Sequence, residues 1–293
     1  MKPPKPFDPV NFERPFVALT SLICAVLLIY LGIQGPIFQN AIVYRTHPSV
    51  NNQLIAQDAV NTFLISPLLL LAAWGLYARK RFAKYLLALT PLFLLYYAIS
   101  YMVGWEWMAA DYSGNSQLWF FHYLGVMVAA LIILFYSLSA FKARQKPHFS
   151  KRGLMIYSVI FTIFMAMFAA MWMKEIFEVF TKGTARGYDL APTAFWLVRC
   201  FDLGFSIPLG FISLYLLWLR PQTTFPVQML LYGFFLSMSV VVNAMGWVMM
   251  INHDPAADPM GNIVFVILML ISFFGYFYIL RGYGKKKGSP PRQ

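Results

Sequence analysis

Apolar residues run along this chain in eight long stretches, at roughly 15–33, 59–78, 84–104, 118–141, 153–172, 195–219, 226–250 and 261–280. A helix needs about 20 mostly apolar residues to cross a bilayer. The runs are continuous and lack the period-two alternation of barrel strands, so they predict helices. The expected fold class is all-α: a polytopic membrane protein with eight transmembrane helices. Residues 190–225 divide least cleanly, because Arg199, Asp202 and Pro208 interrupt the apolar run.

Composition agrees with that pattern: 60% of the 293 residues are hydrophobic, 18% aromatic and only 12% charged. The net charge of +12 raises the possibility of a nucleic-acid partner, but its distribution argues otherwise. With a cytoplasmic N-terminus, 18 of the 23 basic residues fall on inner segments, clustered at Arg79–Lys84, Lys142–Arg152 and the C-terminal tail. The outer side keeps nine of the eleven acids, all but Asp8 and Glu13. This asymmetry places both termini in the cytoplasm of a cell-membrane protein. It also gives the basic loops anionic lipid headgroups as their partner, with no nucleic acid. The Pro-rich start and long first run speak against a cleaved signal peptide. Cys24 and Cys200 lie too far apart along their spans for a disulfide and read as small apolar packers.

The loop rhythm repeats. Spans one and five are each followed by a long outer segment, a short basic turn and a medium outer loop. Residue echoes recur at an offset near 141: Asn61 with Ser66-Pro67-Leu68 against Asp202 with Ile207-Pro208-Leu209, and Arg79 against Arg220. One explanation is a 4+4 parallel tandem repeat, with a first half over 15–145, a second over 146–283, and tails at 1–14 and 284–293. The other is chance, since apolar helices of similar composition align readily. If the repeat holds, Asp58 aligns with Arg199 and the two are expected to pair. Pro67 and Pro208 each predict a kink inside a span. The polar segment 34–57 is expected to order against the helix tops.

Depth sorts the remaining polar residues into one layer at the outer face. Gln57, Asp58, Asn61, Glu106, His122, Arg199, Asp202 and Asn243 are the candidate walls of an outward-facing cup between the halves. Helix-end charges, snorkelling and an aromatic belt explain the same layer without a ligand. Of the eight, Asp202 stands out. The Lys174, Glu175 and Glu178 set reads as a solvated prolongation of span five. Sixteen Met residues invite a copper site, yet residues two apart on a helix face away from each other and Met commonly fills packing gaps. Four scattered His and no Cys pair argue against zinc. No metal or cofactor is assigned, and Gly282-Tyr283-Gly284-Lys285 lacks the spacing of a phosphate-binding loop.

No motif names a reaction, and none assigns an oligomeric state. The leading function class is binding or transport of a small polar solute at the outer-face site. The alternatives are a membrane-embedded enzyme acting on a lipid-linked or extracytoplasmic substrate, and a non-catalytic assembly or sensor protein. A wet channel past Pro67 and Pro208 would favour transport, and a closed pocket with two titratable groups in reach would favour an enzyme.

Overall fold

The structure, a computed structural model, describes residues 9–104, 114–185 and 187–284. Among the described residues, eight helices are long and apolar enough to cross a membrane: α1 (Phe12–Gln34), α2 (Pro48–Tyr77), α3 (Ala83–Val103), α4 (Ser116–Ser139), α5 (Lys151–Lys182), α6 (Pro192–Leu219), α7 (Phe225–Ile251) and α8 (Pro259–Tyr283). No strand occurs among the described residues. Each expected span falls on one helix, the architecture of a multi-pass membrane protein.

Two helix ends differ from expectation. Helix α2 begins at Pro48 rather than near residue 59, because capping and not hydropathy starts it. Proline fits the first helical position, and the His47 ring accepts the Ser49 N–H at 3.2 Å. Helix α5 runs on to Lys182 rather than stopping near 172. Glu178 and Lys182 pair across one turn at 3.9 Å, and Gly183 ends the helix at a φ of 75° that a side chain would resist.

The prolines inside α2 and α6 leave a backbone signature. Proline has no N–H and its ring crowds the carbonyl four residues back. Each helix answers by widening into a π turn just before the proline, at Asn61–Ile65 and at Asp202–Ser206. The Ser66 N–H reaches back to the Asn61 carbonyl and the Ile207 N–H to the Asp202 carbonyl, each five residues away. The Ser66 hydroxyl adds a second bond to the Asn61 carbonyl at 2.7 Å. A third π turn, Ser100–Gly104, closes α3.

Pro91 has a stronger effect that the sequence reading overlooked. It interrupts α3 at Leu89–Thr90, between the helical segments Ala83–Ala88 and Pro91–Ile99. Helix α7 fills the break. The Ser237 hydroxyl donates to the freed Leu89 carbonyl at 2.8 Å. Gly233 lies so close that a Cβ there would sit 2.2 Å from the Ala88 carbonyl oxygen. Helix α7 packs against α2, α3 and α8.

We call the end bearing Arg79–Arg81 and Lys151 the basic end and the opposite one the acidic end. At the basic end, Gln145 N–H donates to the Gln222 carbonyl and His148 N–H to the Gly282 carbonyl, both at 2.7 Å. At the acidic end, Asp254 in the α7–α8 loop accepts the Ser49 hydroxyl and the Asn52 amide, each at 2.8 Å. Asn252 donates to Asn52 at 2.7 Å, and Asn115 ties Ala41 and Val43 to the start of α4. The polar segment before α2 is therefore ordered against the helix tops. Helices α5 and α8 expose apolar rows such as Ile156, Val159, Ile163 and Met167, and Ile263, Ile267, Leu270 and Phe274. Both cysteines are free: Cys24 is buried, but Cys200 is exposed and is not the buried packer expected.

Candidate functional site

A cavity of about 360 Å³ opens among α2, α3, α5, α6, α7 and α8 toward the acidic end. Helical periodicity explains its walls. Phe168, Met171, Trp172 and Glu175 form one stripe of α5, and Met238, Val242, Met245 and Met249 form one stripe of α7. Tyr96, Tyr97 and Tyr101 supply the α3 wall, and Asn262 and Phe265 belong to that of α8. By area the lining is mostly apolar, with aromatic rings and thioethers prominent, while serines, amides and the acids Glu175, Asp202 and Asp258 intersperse polar groups. A polar cup was expected; the walls suit an apolar body better.

Of the eight sequence-predicted residues, Gln57, Arg199 and Asp202 line this cavity. Asp58, Asn61, His122 and Asn243 do not, and Glu106 lies outside the described residues. Asp58 turns toward α1, where its Oδ2 meets Gly35. Asn61 accepts the Gln57 side-chain amide at 3.1 Å. His122 stacks on Tyr30 with ring centres 5.1 Å apart. Asn243 faces α8, donating to the Phe265 carbonyl at 3.0 Å and to Ser239 of its own helix at 2.7 Å. These four face other neighbours around the helix.

Arg199 anchors the α5–α6 wall. Its guanidinium carbon lies 3.7 Å from the Phe195 ring centre and 4.4 Å from that of Trp172, between the two faces. The side chain is ion-paired with Glu175 and donates to the Phe195 carbonyl at 3.3 Å. The expected Asp58–Arg199 pair is therefore not formed. Glu175, read from sequence as solvated, is the partner instead. The signal was available: Phe168, Trp172 and Glu175 recur at helical spacing, which puts the acid on the aromatic face.

Asp202 opens the second π turn, 9% exposed. It accepts the Ser206 hydroxyl at 3.2 Å. Arg199 lies near enough to act on it electrostatically, but the direct ion pair of that guanidinium goes to Glu175. Trp172 is also beside Asp202, its indole N–H short of hydrogen-bond geometry. With both carboxyls ionised, this cluster carries two negative charges against one positive. Two donors on the same wall, Trp172 Nε1 and Arg199 Nε, have no protein acceptor. Neither Pro67 nor Pro208 lines the cavity, so it does not extend past the kinks. No cluster of three or more His, Cys, Asp or Glu suited to a metal occurs among the described residues. Met249 and His253 do not share a helix face, because α7 ends at Ile251. No family model, curated protein or solved structure matches the chain.

Proposed function

We propose that this multi-pass membrane protein binds a small amphipathic cation, an amine or quaternary ammonium on an apolar body, in the cavity at its acidic end. One observation carries the proposal: Asp202 is a buried carboxylate on an aromatic and thioether wall, and the one guanidinium beside it among the described residues is committed to Glu175. A buried charge without a matched partner is costly unless something neutralises it. A ligand cation does so, and the surrounding rings favour it further. The free donors of Trp172 and Arg199 suit an oxygen on the same ligand, or a water bridging to it. Compared with the polar solute expected from sequence, the ligand class shifts because the walls are largely apolar.

The acidic end faces away from the cytoplasm in this proposal, and both termini lie inside. What supports that orientation is the clustering of lysine and arginine at the opposite end. We also infer that the two halves descend from one four-helix unit. What supports this is the π turn that precedes the proline in both α2 and α6, with starts at Asn61 and Asp202 matching the offset of the sequence echoes.

Titration calorimetry on the purified full chain tests the ligand class. The probes are benzyltrimethylammonium, benzyl alcohol and phenylacetate, which share an aromatic body and differ in charge. The cation is expected to bind best, and Asp202→Asn to weaken it by about 10- to 150-fold, the worth of a hydrogen bond or contact to a charged group of about 1.5–3 kcal/mol. Preference for phenylacetate, or unchanged cation affinity in Asp202→Asn, would overturn the proposal.

A further inference from the structure

A second buried carboxyl lies outside the cavity and has no role in the proposed ligand site. Asp58 is 1% exposed, inside the first half of the bundle. Its Oδ2 has no hydrogen-bond partner. One turn further on, the Thr62 hydroxyl is also buried without a partner. Both oxygens press on glycines, Thr62 on Gly32 within α1 and Asp58 on Gly35 just past its end. A Cβ at Gly35 would sit 2.1 Å from Asp58 Oδ2, and one at Gly32 would sit 2.1 Å from Thr62 Oγ1. The fit against Gly35 leaves no room for a metal cation on that side of the carboxyl.

The titratable groups around Asp58 are phenols and a thiol. The pre-α2 segment contributes Tyr44, α3 Tyr97 and Tyr101, α4 Tyr123, and α1 Cys24, which neighbours Tyr97. Tyr44 and Tyr123 hydrogen-bond through their hydroxyls at 2.9 Å. Burial pushes the Tyr44 phenol well above its ordinary range, so it stays protonated. No lysine, arginine or histidine among the described residues acts on the Asp58 carboxyl. An ionised carboxylate here would be a buried charge without a counterion, a state that proteins avoid by taking up a proton.

Two of these phenols have a second role. Tyr97 and Tyr101 also line the cavity, and both lie near enough to Asp58 to interact with it electrostatically. Gln57, the residue before Asp58, lines it as well. We propose that Asp58 is a proton-binding site: it carries a proton at neutral pH and exchanges it with cavity water through the Tyr97 and Tyr101 hydroxyls. In the release step the Asp58 O–H bond breaks as a phenol oxygen takes the proton. That phenol gives up its own proton toward the cavity, where a water accepts it, and the carboxylate is left behind. Uptake runs the same steps in reverse. The site is independent of the cation proposal and stands if that proposal fails.

Infrared spectroscopy on the full chain labelled with carboxyl-13C aspartate tests it, with no ligand present. A label-sensitive carbonyl band of a protonated carboxyl is expected at neutral pH, retained in Asp202→Asn and lost in Asp58→Asn. Absence of that band in both the parent and Asp202→Asn would overturn the proposal, and this arm needs no substitution at Asp58. Transfer to heavy water is expected to shift the band, at least tenfold more slowly in the Tyr97→Phe/Tyr101→Phe double variant. An unchanged exchange rate in a folded double variant would overturn the phenol route.

Discussion

Replacing Glu175 by Gln removes the partner of a guanidinium that the fold cannot return to water. Arg199 is clamped between Phe195 and Trp172, and its pair with Glu175 is largely shielded from solvent. Breaking such a pair from one side costs about 3–5 kcal/mol when the remaining charge has nowhere to turn. Here Asp202 stands beside it, so the arginine can re-pair and the loss in Glu175→Gln should fall to about 1.5–3 kcal/mol. Arg199→Met has no such relief, because it leaves two carboxylates together, and should cost the full amount of about 3–5 kcal/mol. The double variant should cost less than the sum of the singles by well over the ~0.5 kcal/mol expected for independent sites. Ligand binding should separate the two singles in the opposite sense. Once Arg199 neutralises Asp202, the cation loses an attraction of about 4 kcal/mol, taking a separation of about 4 Å and an effective dielectric of about 20, and desolvation returns part of that. Benzyltrimethylammonium affinity should therefore fall by about 10- to 150-fold in Glu175→Gln and rise in Arg199→Met. Thermal unfolding in detergent reads the stabilities and calorimetry the affinities. Additive stability losses, or affinities moving the same way in both singles, would refute the charge balance.

Gly233→Ala should lower the melting temperature by several degrees, since its Cβ would stand 2.2 Å from a backbone oxygen and overpacking costs about 1–3 kcal/mol. Gly210→Ala is the control: its nearest neighbours are the Met165 sulfur at 2.9 Å and the Phe161 ring, side chains that can move, so it should melt close to the parent. Equal melting of the two variants would sink the close-approach argument. Asp254 gives a pH dependence outside the helices. Its partial burial opposes the charge, but hydrogen bonds from Asn52, the Ala256 N–H and Ser49, with His47 nearby, outweigh it and hold the carboxyl below its ordinary range. The clamp thus contributes fully above the ordinary value of about 4 and is lost as pH falls below it. Melting curves should show an acid-side decline that Asp254→Asn flattens, and identical profiles would remove the clamp. Ser237→Ala should cost about 1 kcal/mol or more by stranding the Leu89 carbonyl at the α3 break, with denaturant unfolding as the measure.

What the sequence made legible was one-dimensional. Hydropathy gave eight spans and their order, and counting from the basic turns gave an expected depth for Asp58, Asn61, Arg199, Asp202 and Asn243. It did not give helix ends set by capping, as at His47-Pro48, where a helix starts in polar residues ahead of its apolar run. Nor did it give long-range partners: Glu175 and Arg199 lie on neighbouring antiparallel helices, and only the turn at Gly183 and the packing beyond it bring them together.

Azimuth is the coordinate that depth leaves out, and it decides which carboxyl does what. Consecutive residues on a helix point about 100° apart. Gln57 can therefore line the cavity while Asp58, its neighbour, is turned into α1 and the tyrosine cluster. Which of two adjacent polar residues faces a ligand depends on which helix offers room, and room is set by small residues elsewhere. Gly32 and Gly35 admit Thr62 and Asp58, while Gly233 lets α7 close onto the broken α3. The glycines were in the sequence, but their partners were not, because a close approach is written half on each helix. Filling Gly35 with alanine should therefore disturb Asp58 selectively: the protonated-carboxyl band should shift or vanish while cation affinity at Asp202 stays within about threefold. Loss of both together would mean that the two acids share one site after all.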